Sequence, residues 1–238
     1  MLVAFTRIAL VCTLLVFSTT AFAQVQEDWS VTYVGEGANE DEPVGIGLDN
    51  ALDCYVAGRS YSSLTSWDFV VAKYHDGLID WERRYNGVGD TMDYAYTMAV
   101  AGDGHIYISG YAKGGGGSGQ DFLTVAYKPD GDTAWTSRVD LGASDFSRHI
   151  KVLGDGSLII AGKGYSPVSF ALIKYTADGD TAWARRYAWT GATTHNGQRV
   201  ACDSSGNLIV TGTARNNNQE DVLTVKDRKS TRLNSSHT

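Results

Sequence analysis

Asp121-Phe122-Leu123-Thr124-Val125-Ala126-Tyr127, then a Pro129-Asp130-Gly131 turn and Trp135, form one copy of a pattern that the chain writes several times. Phe170 to Tyr175 leads through Ala177-Asp178-Gly179 to Trp183, and Phe69 to Tyr74 leads to Trp81. The tryptophans Trp29, Trp81, Trp135 and Trp183 stand 52, 54 and 48 residues apart, and Trp81-Glu82-Arg83-Arg84-Tyr85 returns as Trp183-Ala184-Arg185-Arg186-Tyr187. Such self-similarity marks one supersecondary unit copied along the chain. A second ruler agrees: Gly58, Gly110, Gly162 and Gly212 are 52, 52 and 50 residues apart.

Each of these glycines closes a short apolar run (Cys54 to Ala57, Ile106 to Ser109, Leu158 to Ala161, Leu208 to Thr211). Ahead of the last three runs lie Asp103-Gly104, Asp155-Gly156 and Asp203-Ser204-Ser205-Gly206, turn sequences that close hairpins because Gly, Asn and Asp tolerate positive φ. A strand rich in small residues therefore precedes each turn, with Gly45, Gly47, Ala99 and Ala201 among them. The run after each glycine, Phe122 to Tyr127 and its copies, is continuously apolar and predicts a strand buried on both faces. The Trp run carries Glu82, Arg83, Arg84, Arg185 and Arg186, and so predicts a wet edge strand.

Four antiparallel strands per repeat, small residues innermost and charge outermost, predict an all-β fold: a β-propeller of four-stranded antiparallel blades. The material suffices for about four blades, an incomplete and truncated ring, with Trp29 opening an outer strand of its own. The Asp121 to Trp135 pattern, with Asp203-Ser204-Ser205-Gly206-Asn207-Leu208-Ile209-Val210-Thr211-Gly212, resembles the SBBP (seven-bladed β-propeller) repeats of exported bacterial proteins. The resemblance spans residues 29 to 226 and implies seven blades, but no single activity. Asp130 to Trp135 and its copy Asp178 to Trp183 are also similar to the Asp-box of sialidases and the Trp-docking segment of quinoprotein propellers, which in both families serve blade packing.

The ends read differently from the middle. Arg7, the apolar run Ile8 to Phe17 and Ala21-Phe22-Ala23 predict a signal peptide over residues 1–23, cleaved before Gln24. Residues 24–226 form the repeat domain, and 227–238 form a tail in which Asp227 to His237 is similar to a translated sequencing adapter. The expected destination is outside the bacterial cytoplasm: secreted, periplasmic or at the cell surface, with no membrane insertion after cleavage. The chain is acidic, with 20 Lys+Arg against 27 Asp+Glu and a net charge of −7, and its only basic cluster lies in that tail. Such a surface repels phosphate, so nucleic acid is not an expected partner. Cys54 and Cys202 occupy non-equivalent positions in distant repeats, too far apart in an arc for a disulfide to be expected.

The longest connections, second strand to third and blade to blade, emerge on one face of an antiparallel blade. Tyr61, Trp67, Tyr111 and Tyr165 are the candidate contacts there, for a glycan or a protein surface. Blade capping is the other reading of the same four rings. Asp68, Asp121 and Asp221 precede third strands and Asp93 and Asp145 sit at first-strand entries; blade spacing keeps equivalents apart, which favours loop-capping hydrogen bonds over a metal or catalytic site. Gly114 to Gly119 lacks the Lys-Ser/Thr of a phosphate loop, and His75, His105, His149 and His195 show no ligand spacing and read as lone surface or loop residues. No catalytic, cofactor or metal residues are assigned. The expected function is non-enzymatic binding, adhesion or scaffolding. A secreted propeller enzyme, polysaccharide-active or a quinone-dependent dehydrogenase with its site on the long-loop face, is the alternative.

Overall fold

The structure, a computed structural model, describes residues 28–35, 40–113, 119–165, 168–216 and 219–228. The predicted signal peptide, the Gly114 to Ser118 run and tail residues 229–238 lie outside them. The chain divides into two units, Met1–Ser30 and Val31–Thr238. In the first, only residues 28–30 are described; they are exposed and form no strand.

The second unit is all β. Its first sheet is β1 (Asp41–Leu48), β2 (Cys54–Ser62), β3 (Ser66–His75) and β4 (Leu78–Tyr85), antiparallel and in sequence order. The same order recurs in β5 (Asp93–Val100), β6 (Ile106–Lys113), β7 (Gln120–Tyr127) and β8 (Thr133–Val139). It recurs again in β9 (Asp145–Val152), β10 (Leu158–Gly164), β11 (Ser169–Tyr175) and β12 (Thr181–Tyr187). A three-stranded sheet follows, β13 (Thr194–Cys202), β14 (Leu208–Asn216) and β15 (Gln219–Asp227). These are propeller blades: the first strands pack in succession, β1 on β5, β5 on β9 and β9 on β13.

The landmark glycines do something other than end a strand. Each second strand continues past its glycine, and the glycine pairs with the residue just ahead of a β-bulge in the first strand: Gly58 with Pro43, Gly110 with Ala95, Gly162 with Ser147, Gly212 with Gly197. The bulge pushes a first-strand carbonyl toward the second strand. A Cβ on these glycines would fall on the carbonyl oxygens of Glu42, Tyr94, Phe146 and Asn196 respectively. Glycine is thus required by close backbone approach at one level in all four blades. The residues left unpaired are Val44, Tyr96, Arg148 and Gln198.

The tryptophans lock neighbouring blades. A second bulge leaves Asp80, Ala134 or Ala182 unpaired immediately before Trp81, Trp135 or Trp183. Trp81 Nε1 donates to the Pro129 carbonyl at 3.0 Å and Trp135 Nε1 to the Ala177 carbonyl at 3.1 Å, each reaching the third-to-fourth turn of the next blade. The turn glycines Gly131 and Gly179, at φ +87° and +90°, lie against those indoles, where a side chain would collide. Trp29 departs from expectation: it is 43% exposed, and residues 28–35 carry no strand.

The core consists of the seams between blades. Tyr55, Phe69 and Val71 meet Ile106, Ile108, Leu123 and Val125 at the first seam. Tyr107 and Phe122 meet Ile160, Ile173 and Tyr175 at the second, and Ile159, Phe170 and Leu172 meet Val200 and Val210 at the third. Each fully buried side chain of this size contributes about 1.5–3 kcal/mol relative to exposure. The third strands β3, β7 and β11 are buried almost throughout, as expected, whereas β15 alternates toward solvent because no sheet covers its far face among the described residues. Cys54 and Cys202 are free thiols.

Gly110→Ala should lower stability by about 1–3 kcal/mol, the cost of forcing a methyl into a close-packed site. Gly154→Ala, which meets nothing within 4 Å, should stay within about 0.5 kcal/mol of the parent. Urea denaturation of both variants tests this; equal midpoints would show that the bulge tolerates a side chain.

Candidate functional site

Sequence position alone separates Tyr61, Trp67, Tyr111 and Tyr165; the fold joins them. Tyr61 lies on β2, Trp67 on β3 and Tyr111 on β6, while Tyr165 directly follows β10. The second-to-third connections are shorter than the sequence suggests, because the ladders continue on both sides of the glycine level. Three of the four rings are therefore held by strands, not carried on loops. Tyr61 and Trp67 are cross-strand partners, with centroids 5.7 Å apart.

The row continues through rings that were not singled out in the sequence. Trp67 meets the edge of Tyr94 at 5.6 Å, Tyr94 stacks on its cross-strand partner Tyr111 at 5.6 Å and 12°, and Tyr111 meets Phe146 at 5.2 Å and 89°. Phe146 closes on Tyr165 at 6.0 Å. Such geometries add about 0.5–1.5 kcal/mol per pair beyond burial. Cations sit on the row: the Arg59 guanidinium is 3.7 Å from the Tyr94 centroid, and Lys163 Nζ is 4.2 Å from that of Tyr165. Arg59 also donates from Nη1 to the Ala95 carbonyl at 2.9 Å and pairs with Glu42, which fixes blade one to blade two.

Exposure divides the four candidates. Tyr61 is 37% exposed, and Trp67 and Tyr165 are half-buried. Tyr111 is the correction. At 5% exposure it is the packing centre of the row, with its hydroxyl on Met92 Sδ at 2.9 Å, because three rings converge on it: Tyr94, Tyr96 and Phe146. Tyr94, Tyr96 and Phe146 escaped sequence reasoning because their pairing depends on the bulge register. Once the bulge is placed, the ladder out from Asp103-Gly104 puts Tyr94 opposite Tyr111.

Of the carboxylates expected to cap loops, Asp93 and Asp145 do so at the first-strand entries, and Asp41 joins them. Asp41 and Asp145 accept the N–H groups of Gly35 at 2.8 Å and Leu141 at 2.6 Å, Asp93 accepts that of Gly87, and in the fourth blade His195 Nε2 accepts that of Trp189 at 2.7 Å. Each thereby closes the connection leading into its own first strand. Asp68 pairs with Arg84 Nε at 2.7 Å and Asp121 with Arg138 Nε at 2.6 Å, tying third strand to fourth. Asp221, with no fourth strand beside it among the described residues, is exposed. His149 and His195 correct the expectation of surface or loop histidines: both lie in strands, His195 is buried, and burial first of all lowers the pKa of each.

One acidic group crosses a blade seam. Asp121, Asp140 and Asp145 place carboxylate oxygens within 4.8 Å of one another. Non-equivalent carboxylates from adjacent blades meet here. Asp121 already takes the Arg138 guanidinium, so the site's counter-charge comes from within the blade. Burial above all pushes Asp93 and Asp145 up to about 6.

A family model described as a domain of unknown function (DUF5122) beta-propeller matches residues 153–181. Among solved structures, the chain is similar to a subtype N11 neuraminidase-like protein of A/flat-faced bat/Peru/033/2010 (H18N11), at 10% identity and a TM-score of 0.41. The match covers 76% of this chain and 58% of the neuraminidase-like one. No curated protein matches.

Because burial makes Asp145 hold its proton more tightly in the folded chain, its contribution favours folding at low pH and is lost as pH rises through about 6. Asp145→Asn keeps an acceptor for the Leu141 N–H without the buried charge. Relative to the parent, the variant should gain thermal stability between about pH 4 and 7, with the difference constant above that. Thermal denaturation at pH 4.5 and 7.5 measures it; an unchanged difference would mean that burial does not shift the carboxyl group, and a reversed one that it is stabilised as an anion.

Proposed function

We propose that this chain is an exported β-propeller repeat module, of the SBBP kind, that binds a glycan or a protein surface without chemistry of its own. The unbroken row of rings from Tyr61 to Tyr165 carries the reading. It crosses three blades on the face where the longest connections emerge, with Tyr61 exposed and Trp67 and Tyr165 half-buried. Tyr and Trp offer large, stiff, amphipathic area at low entropic cost, which is why they dominate binding hot spots. Strand-held rings lose little freedom when a ligand settles on them.

Asp93 and Asp145, with pKa values raised to about 6, are the observation that favours a glycan-cleaving enzyme. Both, however, are buried and already accept a backbone N–H from their own connection, so they act as caps. Export through residues 1–23 would place the module outside the bacterial cytoplasm, where its acidic surface suits partners other than nucleic acid.

Affinity electrophoresis in gels containing soluble β-glucan, xylan or chitosan, with an array of immobilised glycans and cell-surface proteins, tests the proposal. The parent should be retained by at least one ligand, and Tyr61→Ala and Trp67→Ala should each weaken retention about tenfold, near 1.4 kcal/mol. Retention that survives both substitutions would place binding elsewhere, and turnover of a retained glycan would favour the enzyme.

A further inference from the structure

The four first-strand bulges have a chemical consequence beyond the fold. Val44, Tyr96, Arg148 and Gln198, the residues left out of the ladders, all line a single cavity of about 620 Å³ between the first strands, together with His149 and Arg199. A bulge re-aims a side chain at the expense of regular pairing, and bulges concentrate beside functional sites. Here one bulge per blade re-aims one side chain per blade into a common space. The repeat keeps the position but not the residue: aliphatic, aromatic, cationic and amide side chains follow in turn. The glycines opposite are invariant across the four blades, so packing at this level does dictate residue type where it needs to. The cavity-facing position escapes that dictation.

The charge of the cavity is opposite to that of the chain. Net charge is −7, yet the lining contains Arg148 and Arg199 and no Asp or Glu. Four arginines elsewhere are paired with carboxylates: Arg59 with Glu42, Arg84 with Asp68, Arg138 with Asp121 and Arg185 with Asp227. Arg148 and Arg199 have no carboxylate partner among the described residues. The Arg148 guanidinium is instead held 4.2 Å from the Tyr96 centroid, and its Nε is shut away from solvent without an acceptor. Arg199 donates from Nη1 to the Gln198 carbonyl at 2.8 Å. His149 adds no negative charge: its Nδ1 faces the Val200 N–H at 3.3 Å. Two guanidinium groups without carboxylate partners give this open cleft a positive field that the acidic exterior does not cancel at short range.

We propose that this axial cavity binds a small oxyanion-bearing molecule, its carboxylate or phosphate gripped by Arg148 and Arg199. Guanidinium forks match the geometry of both oxyanions, and the volume suits a ligand of monosaccharide to disaccharide size. Gln198 and Asn196 offer amide groups to its polar remainder, and Val44 adds an apolar side chain to the lining. A ligand here would touch all four blades, so it would also stiffen the arrangement of the seams.

Isothermal titration calorimetry of the full chain with D-glucuronate, inorganic phosphate and D-glucose tests the site. At least one anion should bind tenfold or more tightly than D-glucose, with an affinity that falls as sodium chloride is raised. Glucuronate alone would mark a carboxylate site and phosphate alone a phosphate site. Arg148→Gln and Arg199→Gln should each weaken that binding tenfold or more. Arg199 is exposed, so its variant keeps the parent's fold even if Arg148→Gln does not. Trp67→Ala should leave anion affinity unchanged, which separates this cavity from the aromatic row. Equal affinity for anions and D-glucose, no binding of either anion, or a folded Arg199→Gln that binds like the parent would overturn the proposal.

Discussion

Everything in the repeat domain depends on a backbone contact too close for any side chain. In each blade a first-strand carbonyl bulges toward a second-strand glycine, and the two chains approach as only an absent Cβ permits. The bulge sharpens local twist and lets a narrow inner strand serve a wider sheet. It also sets the register of the outer half of the β1–β2 ladder and its copies, and thereby decides which aromatic side chains face one another above it. Tyr94 stacks on Tyr111 because Tyr96 has been left out of the count.

Blade-to-blade adhesion uses three devices that cooperate. Apolar seams supply most of the stabilisation, since each buries aromatic and branched aliphatic side chains from both sheets. The indole N–H bonds from Trp81 and Trp135 orient one blade on the next, which a non-directional hydrophobic contact cannot do. Carboxylates at the first-strand entries fasten the incoming connection, and His195 fills the same role with a neutral acceptor in the fourth blade.

Much of this was legible in the sequence because the devices recur with their residues. Trp81, Trp135 and Trp183 and the Gly58 series report the period, the Asp-Gly turns report the hairpins, and the continuous Phe122 to Tyr127 run reports burial on both faces. What the sequence concealed is equally physical. A bulge has no residue signature of its own, so Gly58 and its copies look like strand ends when they are strand centres. Trp29 looks like its three successors, yet residues 28–35 carry no strand, so the residue alone does not announce an outer strand. Tyr111 looks like a surface ring because its burial comes from Tyr94 and Tyr96 across the bulged ladder and from Phe146 of the next blade, which local composition cannot register. Of the candidate site, three ring positions could be read as accessible. The rings that connect them, Tyr94 and Phe146, could not be found without the register.

The Trp-to-turn contact is directional, and this gives the domain a grammar for growth. The first two blades each present an indole, and the second and third each receive one at their own Asp-Gly turn, so these two boundaries are the same junction. A duplication or deletion whose endpoints fall at equivalent positions of two repeats joins a donor to a matching receiver without inventing a new interface. Length can thus change by whole units while the chemistry of each junction is inherited intact. The variable positions, among them the bulge residues and the cross-strand pairs above them, remain free to diverge blade by blade.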